Sequence, residues 1–243
     1  MENSKIIVKI VGIAQYGTTL STAIMNAFSG THSDSTVITC EEVDRTADME
    51  SITHELSSCD AVLLLADASQ DFALLQEVAS SLSASRTLTF VGIANHAAAQ
   101  RDALASVADC VVEIPEGNGE EVLFHFIEGI SLYYNGLFGI DWQDITTTFE
   151  SAEKARIFEY PFDKADGIAQ EIHLHLSNEP QIRTAKAAFV YLRFSSVFDL
   201  TTEQLDGILD SIAQNLHPDT FVWVNCVSKN FERSCVTITF TGI

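Results

Sequence analysis

Five apolar runs without regular polar alternation, Ile6 to Ile13, Val37 to Cys40, Ala61 to Ala66, Leu88 to Ala94 and Cys110 to Ile114, punctuate the first half of the chain. Each is of strand length, and a strand with no polar face has to be buried on both sides. Between them lie Thr19 to Phe28, Phe72 to Leu82 and Ala97 to Val107, whose apolar residues recur at three and four, the spacing of one helix face. Alternation of this kind predicts a parallel, Rossmann-like sheet with helices on both sides. The chain is therefore expected to be α/β.

The pattern breaks at Glu116-Gly117-Asn118-Gly119 and a long helix signal follows, with Val122, Phe126, Ile127, Ile130 and Tyr133 or Tyr134 on one stripe. The reading divides the chain into an N-terminal domain at 1–117, a central helix at 118–138 and a smaller α+β domain at 139–243. In that last part the expected order is helix Asp144 to Ser151, strand Lys154 to Phe162, helix Lys164 to Ser177, strand Thr184 to Ser195 and helix Thr201 to Asn215. Strands Thr220 to Ser228 and Glu232 to Thr241 end the chain, and only three residues separate them. Such a short connection predicts an antiparallel hairpin.

Charge narrows the partners. Thirteen Lys and Arg against 34 Asp and Glu give a formal charge of −21, a field that repels nucleic acid and anionic lipid surfaces. Neither nucleic acid nor direct membrane binding is expected. The stretch Ile6 to Val11 is interrupted by Lys9 and too short for a secretory leader, and five cysteines (Cys40, Cys59, Cys110, Cys226, Cys235) at wide spacings suggest neither a disulfide framework nor a zinc site. A cytoplasmic protein is expected.

Candidate sites lie where strands meet helices. Val11-Gly12-Ile13-Ala14-Gln15-Tyr16-Gly17-Thr18-Thr19-Leu20 nearly satisfies the spacing of a phosphate-binding loop, but Thr18 stands where lysine is needed, and Gln15 and Tyr16 fill positions where amides would wrap an anion. Thr18 and Thr19 acting as helix caps is the bland alternative. The third run leads directly into Asp67-Ala68-Ser69-Gln70-Asp71, where two acids face any incoming phosphate, and helix capping is again the competing reading. In Glu171-Ile172-His173-Leu174-His175 the alternate acid and histidines would share one face of a strand. The segment is read as helical, which splits them, so no metal site is expected.

Gly139-Ile140-Asp141-Trp142-Gln143-Asp144-Ile145 resembles the synergy loop of FtsZ, the cell-division GTPase related to tubulin, whose pattern is N-x-D-x-x-D. Asp141 and Asp144 match its aspartates, and Gly139 replaces the asparagine. Val11-Gly12-Ile13, Cys59-Asp60-Ala61-Val62, Val112-Glu113-Ile114-Pro115 and the closing Cys235-Val236-Thr237-Ile238-Thr239-Phe240-Thr241-Gly242 extend the resemblance over nearly the whole chain.

The resemblance implies an FtsZ/tubulin-like fold and a GTP pocket completed by a neighbour's aspartates. Yet the family's glycine-rich opening loop keeps only Gly12 and Gly17, and its G-G-G-T-G-[ST]-G signature is replaced by Asp67-Ala68-Ser69-Gln70-Asp71-Phe72-Ala73. Glycines there let successive amides turn toward phosphate without a Cβ in the way. GTP is therefore not expected as a cofactor, nor is GTP hydrolysis. The segment from Cys40 to Cys59 is also short for the family, and its partner-recruiting C-terminal tail is not expected here.

The expected role is a non-catalytic assembly partner or regulator, binding an FtsZ-type protomer or itself. A degenerate small P-loop GTPase module fused to a separate α/β domain is the alternative.

Overall fold

The computed structural model describes residues 5–28, 36–131, 141–150, 152–195, 200–229 and 233–243. The chain forms two compact units, one of Met1–Leu132 with Phe149–Lys154, the other of Tyr133–Thr148 with Ala155–Ile243.

In the first unit, strands β1 (Ile6–Ile13), β2 (Thr36–Val43), β3 (Ala61–Asp67), β4 (Leu88–Ala94) and β5 (Cys110–Glu113) lie in the order β2-β1-β3-β4-β5, each pair parallel. Every residue of β3 is buried, which is why its sequence is an unbroken apolar run. Helices α1 (Ala14–Phe28), α2 (Met49–Leu56), α3 (Ala68–Leu82), α4 (Ala98–Ala105) and α5 (Gly119–Ser131) complete the unit. Val11, Leu64 and Val91 from the strands pack with Leu75, Val78 and Leu82 of α3 in one core. The rings of Phe90, Phe126 and Phe149 meet edge to face at 5.1 to 5.6 Å, joining β4 to α5.

Two starts differ from the sequence reading. Helix α1 begins at Ala14 rather than Thr19, so most of the expected loop is helical and Thr18 and Thr19 lie within it. Helix α3 begins at Ala68, with a break at Asp71 (φ −120°, ψ 19°) just before the expected start at Phe72. Helix α2 carries only Ile52 and Leu56 on its buried side, a stripe too thin to announce itself in the sequence.

The second unit contains α6 (Trp142–Phe149), which ends in the first, then β6 (Glu153–Phe162), α7 (Ile168–Ser177), a 3-10 turn at Pro180–Thr184, β7 (Ala187–Ser195), α8 (Thr202–Ala213), β8 (Phe221–Lys229) and β9 (Ser234–Thr241). The expected hairpin does not form. Strand β9 lies between β6 and β7, antiparallel to both, while β8 pairs parallel with the far side of β7. All eight residues of β9 are buried, the mark of a central strand, whereas Phe221 at the start of β8 is 69% exposed. Residues 132–140, which include the end of the expected central helix and Gly139, lie outside the described residues. No described helix is long and apolar enough to cross a membrane.

Candidate functional site

The strand ends of the first unit gather the sequence candidates. At the β1–α1 joint there is no loop: Ile13 ends the strand and Ala14 starts the helix, with Ala14 held at φ 52°. That left-handed conformation costs an L-residue about 1–2 kcal/mol and is where glycine would normally stand. The two glycines present serve packing. A Cβ on Gly12 would lie 2.5 Å from the Thr18 backbone, and one on Gly17 would lie 2.0 Å from the Leu65 carbonyl oxygen. Helix α1 is thus pressed closely onto β1 and β3. The Thr19 hydroxyl donates to the Gln15 carbonyl at 2.9 Å inside the helix, so it does not cap it.

At the β3–α3 joint the chain supplies its own anion. Asp67, 5% exposed, is the N-cap of α3 and accepts from the Ser69 amide at 2.9 Å, the Ser69 hydroxyl at 2.6 Å, the Gln70 amide side chain at 3.2 Å and the Asn95 side chain at 3.1 Å. The Ser69 hydroxyl bond, helped by Asn95, the Ser69 amide and Gln70, holds the Asp67 carboxyl below the usual carboxylate range even though burial works against ionisation. A carboxylate on a helix N-terminus occupies the place and charge that a bound phosphate would take. Burial and the nearby Asp67 charge raise the Tyr16 pKa, so its ring stays neutral beside that carboxylate.

Two clefts flank this joint. One, of about 460 Å³, is lined by Gln15, Thr18, Glu42, Asp44, Arg45 and Asp71 among others. Arg45 reaches Asp71 at 3.6 Å, so three carboxylates face one guanidinium, a lining that disfavours an anionic ligand. The other, of about 330 Å³, lies between Tyr16, Asn95, Pro115 and Glu120. Asn95 is also at positive φ, 50°, and its bond to Asp67 fixes that turn. Sequence reasoning missed Asn95, Arg45 and Glu42. An asparagine directly after a largely apolar strand was the available signal for the first, since it tolerates the left-handed region best among non-glycines.

Asp141 and Asp144, in the second unit, form a reciprocal capping box. The Asp144 amide donates to Asp141 Oδ1 and the Asp141 amide to Asp144 Oδ2, both at 2.9 Å, which closes the first turn of α6. Glu171, His173 and His175 sit on α7 as expected of a helix. His175 pairs with the Tyr160 hydroxyl at 3.1 Å and His173 with the Asn215 side chain at 3.3 Å.

No protein-family model matches the sequence, and no curated protein matches it either. Solved structures do. A point mutant of FtsZ from M. jannaschii superposes with a TM-score of 0.76 over 98% of this chain and 92% of that one, at 14% identity. The chain has an FtsZ/tubulin-like fold. An empty FtsZ dimer from M. jannaschii gives a TM-score of 0.75 at 16% identity, covering 99% and 89%. A GTPγS-bound protofilament of CetZ2 from Haloferax volcanii gives 0.63 at 12%, covering 97% and 92%. Within this FtsZ/tubulin-like fold, the two joints just described are those at which the sequence resemblance places the nucleotide loops.

Proposed function

We propose that this chain is a non-catalytic FtsZ-like assembly partner, a subunit that caps or regulates a polymer without binding or hydrolysing GTP. The observation that carries the reading is Asp67: its carboxylate fills the α3 N-terminus that a nucleotide phosphate would need, while α1 follows β1 without a loop. Phosphate entering there would meet a buried, ionised carboxylate and lose the amide it requires. The solved neighbours, described as a dimer and a protofilament, support assembly as the theme, and their likeness over both units argues against a P-loop module joined to an unrelated domain.

Self-assembly is the weaker variant: docking Asp141 and Asp144 of one copy at the cleft of Glu42, Asp44 and Asp71 of another would gather five carboxylates around the single guanidinium of Arg45. A metal-bearing nucleotide face on a catalytic protomer would supply a counter-ion.

The test mixes the protein at substoichiometric ratio with an assembling FtsZ and follows polymer mass and GTP turnover. A cap lowers both at low ratios. The double change Asp141→Asn and Asp144→Asn keeps acceptors for the α6 cap but removes the charge, and should weaken the effect. Unaltered polymer and turnover at equimolar ratio would refute the reading.

A further inference from the structure

The cleft of about 330 Å³ beside the β3–α3 joint lies wholly within the first unit and has no part in the proposed assembly role. Its size is at the lower end of ligand pockets, about 300–1,000 Å³, which suits a group no larger than a long side chain. Leu20, Ile114 and Pro115 give it apolar walls and Tyr16 an aromatic one. The walls are close-packed: a Cβ on Gly119 would lie 2.4 Å from the Ile114 side chain, so the start of α5 sits directly on the residue that follows β5.

Charge then selects the occupant. Glu116 and Glu120 line the cleft, and among the described residues neither carboxylate has a hydrogen-bonding or ionic partner. No lysine, arginine or histidine lines it. Asn95 gives its side-chain N–H to Asp67 at 3.1 Å, which leaves its side-chain oxygen as the end that accepts. Asp67, whose charge reaches Tyr16, adds to the negative field. The α5 N-terminus by itself would favour an anion, but its positive pole is worth about half a charge, and Glu120 in the first turn with Glu116 just before it outweighs that. A negative cleft with apolar walls concentrates cations. A hydrated metal ion would leave those walls unused, whereas a charged head on an aliphatic stem satisfies both. We propose that this cleft binds an aliphatic amine or guanidine, its head paired with the carboxylates of Glu116 and Glu120 and its methylene stem laid on Leu20, Ile114 and Pro115. A free small molecule and the lysine or arginine side chain of a protein present the same chemistry.

Isothermal titration calorimetry of the full chain at low ionic strength tests this with agmatine, a free guanidine, and with Nα-acetyl-arginine amide, which stands for a protein side chain. Nα-acetyl-citrulline amide is the neutral isostere. Saturable binding of at least one cation at about millimolar concentrations or tighter is expected, with the citrulline compound about tenfold weaker or more. Binding of agmatine alone assigns the site to a free small molecule, and equal binding of the arginine compound assigns it to a protein side chain. Glu116→Gln and Glu120→Gln should each weaken binding about three- to fivefold, and the two together about tenfold or more. Asp206→Asn combined with Asp210→Asn, on α8 and outside the cleft, removes the same net charge and should leave binding unchanged. All four side chains are exposed, and circular dichroism confirms folding. No saturable heat from either cation, or binding indifferent to the Glu116 and Glu120 changes, would overturn the proposal. So would an equal loss in the α8 variant, which would show only the general attraction of cations to a chain of net charge −21.

Discussion

The carboxylate of Asp67 stabilises the fold by the same bonds that, in the proposed function, keep phosphate from the α3 N-terminus, so one substitution reads both effects. Asp67→Ala should cost about 1–2 kcal/mol by loss of the α3 cap, seen as a lower denaturant midpoint. It should also free the Ser69 amide, so that inorganic phosphate, not held by the wild type, binds weakly at about millimolar concentrations, visible by phosphorus NMR. The folded pKa of Asp67 lies below its unfolded value, so its contribution is complete above the unfolded carboxylate pKa, near ~3.9, and is lost as pH falls through the folded one. Urea midpoints measured from neutral to acid pH should therefore fall less steeply for Asp67→Asn than for the wild type. The β1–α1 joint gives paired opposite signs. Ala14→Gly relieves a residue at φ 52° and should stabilise by about 0.5–1 kcal/mol. Gly17→Ala, which helix propensity alone would favour by about 1 kcal/mol, should destabilise because its Cβ meets the Leu65 carbonyl oxygen. Thermal unfolding of the two variants checks both.

At the scale of elements, the parallel strands were legible because burial on both faces leaves a run with no polar alternation, most plainly at Ala61 to Ala66. The joints were not. A helix announces itself through its core stripe, and the first turns of α1 and α3 carry Gln15, Tyr16, Thr18, Ser69 and Gln70, so periodicity begins several residues after the helix does. This hid the absence of a loop, the fact that matters most for the site. The pairing of β8 and β9 was misjudged for another reason: a short connection suggests a hairpin, but the strand buried throughout takes the centre of the sheet and the one with an exposed start takes the edge. Asp141 and Asp144 were visible as a pair, and what the sequence withheld was their mutual bonding. Asp141→Ala should cost about 1 kcal/mol as a lost cap, while Asp141→Asn should cost little, by chemical denaturation. The ring cluster joining β4 and α5 gives the largest expected loss: Phe126→Ala should remove about 3–5 kcal/mol.

For the whole molecule, a charge of −21 sets long-range behaviour independently of any site. No retardation of DNA and no binding to anionic vesicles is expected at physiological salt, and gel shift and vesicle sedimentation measure these directly. The FtsZ/tubulin-like fold is shared with solved structures described as an empty dimer and as a GTPγS-bound protofilament. In this chain the strand ends of the first unit carry an internal carboxylate, packing glycines and an acid-rich cleft. The central claim is that the chain's own residues have taken the place of the nucleotide, and isothermal titration calorimetry with GTP and magnesium tests it most directly. The account predicts no saturable heat at concentrations that detect micromolar binding. A dissociation constant in the low micromolar range, about −8 kcal/mol, would contradict it and restore a nucleotide-driven role.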